Sequence, residues 1–140
     1  MGKNILRVVL ILSGLFIVFT GLNVALGGVM TMGWQGTSDF VKVTNEHAYL
    51  IRDSHTRFYG GVWVGMGLLF ILSTLDLEKY LRVLQAMFVF IFIGGLARLG
   101  QMRFEVIFSA DLIGSVFAEL IGMPILFIWL GKAVGERNDK

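Results

Sequence analysis

The chain has 140 residues, 56% of them hydrophobic, and a mean hydropathy of +0.76, well above the apolar share of a soluble domain. A formal charge of +2, with no basic run before the C-terminal tail, leaves no electrostatic footprint for nucleic acid. The absence of cysteine removes disulfides, thiol redox chemistry and thiolate metal sites, and the length allows one domain.

Four apolar stretches follow in chain order, each near the ~20 residues needed to cross hydrocarbon: about Ile5–Val29, Phe58–Leu75, Val83–Leu99 and Leu112–Gly131. None alternates with period two, and a spanning strand would need a closed barrel, so the class is all-α. The expected architecture is an integral membrane antiparallel four-helix bundle.

In the first stretch Ser13, Thr20 and Asn23 fall near one helical face, with Gly27 one turn on. That polar stripe asks for a protein neighbour. It weighs against the competing reading of a cleaved signal peptide, with Lys3 and Arg7 as its basic region and Ala25-Leu26-Gly27 as its cleavage site. The long outer loop, Met30–Thr56, is mostly polar. Thr37 or Ser38 with Asp39 would cap a short helix there, and Val41-Lys42-Val43-Thr44 alternates like a short strand. Loops of this length often serve as lids or binding loops. The turn Asp76–Arg82 is short and makes the second and third spans antiparallel neighbours.

Loop charges set the orientation. Lys3, Arg7, Lys79, Arg82, Lys132, Arg137 and Lys140 share one side, against Lys42, Arg52, Arg57, Arg98 and Arg103 on the other. The positive-inside rule then places both termini in the cytoplasm. Small residues at fourfold spacing, Gly61 and Gly65 in the second span and Gly114, Ala118 and Gly122 in the fourth, are expected helix contacts. Pro124 removes a helical N–H, frees a carbonyl near Leu120, and should kink the fourth span.

Glu119 stands midway along that span. A carboxylate at such depth costs roughly 2.5–3.5 kcal/mol or more unless it is paired, protonated or wet. Asp111, Ser115 and Glu119 fall at i, i+4 and i+8 on one face. Arg98 ends the third span, and Arg57 opens the second with Asp53 and His55 beside it. Glu119 would accept a charge-assisted bond from Arg98 or from Arg57. Three readings stay open: a closed ion network that locks helices, a pocket for an anionic head group or a polarised carbonyl, and proton-coupled transport or chemistry. His47 and His55 have solvated or capping roles, since their spacing suits no metal or haem pattern. Trp34, Trp63 and Trp129 fit interfacial or packing positions. No nucleophile triad, phosphate-binding glycine loop or metal motif is present, so no cofactor is expected.

Three segments carry a resemblance: Arg57-Phe58-Tyr59-Gly60-Gly61, then Gly94-Gly95-Leu96-Ala97-Arg98-Leu99, then Glu119 with Pro124. In their order and spacing the chain resembles, over its whole length, the bacterial family known as domain of unknown function 4345, small proteins with four spans. It is more loosely similar to DoxX-like membrane proteins. The resemblance implies the same four-span architecture and these residues, and no activity. The leading functional expectation is a non-enzymatic module of the cell inner membrane that binds a lipid or small amphipathic ligand, or else serves as a subunit of a homo-oligomer or larger membrane complex. The alternatives are a small proton-coupled exporter that uses Glu119 and, behind it, a membrane isomerase.

Overall fold

The computed structural model describes residues 2–31 and 42–135. Among these residues every regular element is helical. Four helical segments are long and apolar enough to cross a membrane: Gly2–Met30, Glu46–Ser73, Leu81–Leu99 and Ile113–Gly135. The proposed cap at Thr37, Ser38 and Asp39, Trp34, and the tail charges Arg137 and Lys140 lie outside the described residues. So does Val41; Lys42–Thr44 forms no strand.

Helix α1 runs Gly2–Gly27 through apolar sequence without a proline. It stops where Gly28 takes φ +66°, the left-handed conformation that glycine adopts most readily after a helix. A 3-10 turn, Gly28–Thr31, follows. Helix α2 spans Glu46–Ser73, so it begins twelve residues before the apolar stretch. The reason is local. Asn45 is extended, its side-chain oxygen accepts the Ala48 N–H at 3.0 Å, and Glu46 complements the dipole of the first turn. Hydropathy alone cannot register a polar helical extension, and 28 residues make a rod of about 42 Å, longer than the hydrocarbon is thick. Arg57 therefore lies three turns inside α2 rather than at its start.

The chain packs as two compact units. Arg7–Leu75 holds most of α1 and all of α2. Its two helices run antiparallel along a line of glycines spaced by seven: Gly14 approaches Gly67, Gly21 approaches Gly60, and Gly28 approaches Asp53. A Cβ on Gly14 would lie 2.8 Å from the Gly67 oxygen, and one on Gly21 would lie 2.7 Å from the Val64 nitrogen. Bare backbone faces bare backbone, which maximises dispersion contact where no hydrophobic effect drives association. Ser13, Thr20 and Gly27, from the expected stripe of Ser13, Thr20, Asn23 and Gly27, each directly precede a position of this line. Of these, Thr20 accepts the Trp63 indole N–H at 3.2 Å.

The other unit holds Met1–Leu6 and Asp76–Lys140. Its elements are α3 (Leu81–Leu99), a single turn α4 (Phe104–Ile107), α5 (Ile113–Phe117), a π-helical turn (Ala118–Gly122) and α6 (Met123–Gly135). Helix α3 packs against the π turn and α6. Its buried stripe, Leu84, Met87, Phe88 and Ile91, has the helical period. Opposite stand Met123, Leu126, Leu130 and Ala133. Lys3 ties the start of α1 to Glu78 at 3.3 Å.

The glycines singled out by fourfold spacing are not the contacts. A Cβ on Gly61, Gly65 or Gly114 would meet nothing within 4 Å, and one on Gly122 only the carbonyl oxygen of Phe117, at 3.9 Å. The approach positions are their neighbours and, in α3, Gly95. A spacing of four fits tightly crossed helices, whereas a spacing of seven keeps one face in contact along a nearly parallel pair.

Candidate functional site

Two ion pairs dominate the polar chemistry, one in each unit. In Arg7–Leu75, Arg57 Nε donates to Asp53 Oδ2 at 2.6 Å, one helical turn away. The other Asp53 oxygen accepts the Val29 N–H at 2.9 Å. Arg57 Nη1 donates to the carbonyls of Ala25, at 3.3 Å, and Leu26. A helix end leaves orphan carbonyls behind it and orphan N–H groups beyond it. Arg57 takes the former and Asp53 one of the latter, so the pair caps the end of α1. Gly28 is required there twice over, by its φ and because a Cβ would run into the Asp53 carboxylate.

In the second unit Arg98 and Glu119 form a bidentate pair. Arg98 Nε donates to Oε2 at 2.7 Å and Nη2 to Oε1 at 2.8 Å. Both carboxylate oxygens and two of the guanidinium nitrogens are thereby engaged, the fork geometry that makes arginine the specific partner of a carboxylate. Gly95 permits it. A Cβ there would sit 2.8 Å from Glu119 Cβ and 2.9 Å from Leu120 Cδ2, so only glycine lets α3 approach closely enough. The Glu119 side chain is 12% exposed and that of Arg98 41%.

Before Pro124, where the sequence predicts a kink, the structure has the π turn. Met123 donates its N–H to Ala118, five residues back. A regular turn would bring Met123 N–H to the Glu119 carbonyl, and a continued π ladder would bring residue 124, whose proline nitrogen has no hydrogen. The Glu119 carbonyl is thus left outside both ladders.

Further along the same helices lies an apolar groove of about 270 Å³, whose lining includes Phe88, Phe92, Met123, Pro124, Phe127 and Ile128. It runs along α3 and α6 from about one to three turns beyond Arg98 and Glu119. Nothing in the sequence marked it, because an open groove is a shortfall of packing and leaves no residue signature.

Of the two arginines expected as partners of Glu119, Arg98 pairs with it and Arg57 pairs with Asp53. Asp111 and Ser115 are exposed and take no side-chain hydrogen bond among the described residues. His55 and His47 are exposed on α2, and no three metal-ligating side chains gather among the described residues.

A family model described as Domain of unknown function (DUF4345) matches residues 5–130. The chain belongs to that family. The DUF4345 match covers the second and third candidate spans, most of the first and fourth, both ion pairs and the groove. No curated protein and no solved structure matches the chain.

Proposed function

We propose that the protein is a non-enzymatic, multi-pass module of the bacterial inner membrane, with both termini cytoplasmic, that binds a lipid or small amphipathic molecule at Arg98–Glu119. The observation that carries this reading is a bidentate ion pair, its arginine 41% exposed, on the same helices as an open groove lined only by apolar side chains that begins about one turn beyond Glu119. A polar head at the pair and a chain in the groove is the arrangement an amphiphile needs. The Asp53–Arg57 pair supports a different role. Asp53 and two of the three Arg57 nitrogens bond to each other and to the end of α1, so the pair is a structural cap. The test is native mass spectrometry of protein released from lipid nanodiscs, wild type beside Arg98→Ala. A defined adduct that disappears in the variant is expected. An adduct retained by Arg98→Ala would overturn the site.

The π turn favours a second reading, since such turns recur where helices rearrange at functional sites. In a proton-coupled exporter Glu119 would leave Arg98 to take up a proton. Flux in liposomes after a pH jump, equal in wild type and Glu119→Gln, would end that reading.

A further inference from the structure

We propose that this site selects an electrically neutral amphiphile, a hydrocarbon chain bearing a hydroxyl or carbonyl head, over an anionic lipid. The inference rests on the ligand-binding reading above and names the ligand class.

Three observations carry it. First, the pair is already balanced. Each Glu119 oxygen accepts from Arg98, so a phosphate or carboxylate head would either displace the glutamate or, at the spare Arg98 nitrogen, set a second negative charge beside it with one cation for the two. That penalty applies to an anion and not to a neutral acceptor. Second, the bidentate geometry uses Nε and Nη2 and leaves Nη1 of Arg98 without a partner among the described residues. A guanidinium N–H is a strong donor to a carbonyl or hydroxyl oxygen. The backbone carbonyl of Glu119, stranded between the α and π ladders, supplies an acceptor on the same turn. One donor and one acceptor match a hydroxyl-bearing head, which offers both. Third, the groove contributes no polar atom from its lining side chains; Phe88, Phe92 and Phe127 present rings, Met123 and Ile128 flexible and branched apolar chains. Nothing along it compensates a charge, so charge discrimination falls wholly on the head-group end.

The spacing agrees. Phe92 precedes Arg98 by six residues on α3, about 9 Å of helix rise, a distance that about seven bonds of an extended acyl chain span. A large charged head group would not be needed to bridge the distance.

The experiment compares monooleoylglycerol with oleoyl-lysophosphatidic acid, which share one acyl chain and differ by a phosphate. Each is added to wild-type protein in phosphatidylcholine nanodiscs, and retained adducts are measured by native mass spectrometry. Monooleoylglycerol is expected to be retained on the order of tenfold better, a difference of about 1.4 kcal/mol. Glu119→Gln, which removes the balancing charge, should swing the preference to the lysophospholipid. Phe92→Trp, which fills the groove and leaves the pair intact, should release the neutral probe even if Glu119→Gln does not fold. Preference of the wild type for the lysophospholipid would overturn the neutral class and keep the binding module. Retention of neither probe by the wild type would overturn both.

Discussion

At the scale of single residues, the two ion pairs do different work because their surplus hydrogen-bonding capacity goes to different places. Asp53 and Arg57 spend theirs on the backbone at the end of α1. Asp53→Ala should therefore destabilise by about 1–3 kcal/mol, the cost of orphaning a backbone N–H and a guanidinium, with Asp53→Asn intermediate because an amide oxygen still accepts. Thermal unfolding in detergent reads this. Arg98 and Glu119 satisfy chiefly each other. Removing one partner, in Arg98→Leu or Glu119→Leu, should cost about 3 kcal/mol, since the survivor is left charged at depth. The double variant Arg98→Leu/Glu119→Leu should recover most of that loss while abolishing adduct retention. A double variant as unstable as either single one would show that the pair contributes more than mutual neutralisation.

At the scale of elements, adjacent glycines should behave oppositely. A Cβ on Gly60 would strike the backbone of Ala25, whereas one on Gly61 meets nothing. Gly60→Ala should then separate α1 from α2 and cost roughly 1–3 kcal/mol. Gly61→Ala should be neutral or stabilise by up to about 1 kcal/mol through helix propensity. The same contrast holds on α3: Gly95→Ala forces the Glu119 turn away and should weaken the Arg98 pair, and Gly94→Ala should not. Similar unfolding midpoints for the two members of either couple would contradict the helix register described here. The π turn belongs to this scale too. Replacing Pro124 by Ala restores an N–H, lets the ladder close on Glu119 or Leu120, and should straighten the span and reduce adduct retention.

At the scale of the whole molecule, the cysteine-free sequence allows a clean topology test. Single-cysteine variants Lys79→Cys and Glu105→Cys lie in the connections on either side of α3. With both termini cytoplasmic, an impermeant maleimide applied to intact cells with a permeabilised outer membrane should label Glu105→Cys and spare Lys79→Cys. The reverse pattern would invert the proposed orientation and place Arg98 and Glu119 in the cytoplasmic half.

The sequence by itself determined the helical class, the four apolar spans and the polar residues worth attention, because hydrophobic period and length act locally and a charge within an apolar run is conspicuous without neighbours. It also held the heptad glycines Gly14, Gly21, Gly28, Gly60 and Gly67 in plain view, although a search at fourfold spacing passes over them. Tertiary structure alone decided which arginine meets Glu119. Both candidates were chemically equivalent on paper, and only the approach allowed by Gly95 brings Arg98 to the carboxylate while the end of α1 engages Arg57. The start of α2 at Glu46 likewise depended on a cap at Asn45 rather than on hydropathy. The groove between α3 and α6 was decided there as well, since empty space arises from how two surfaces fail to fill each other and not from any residue on either.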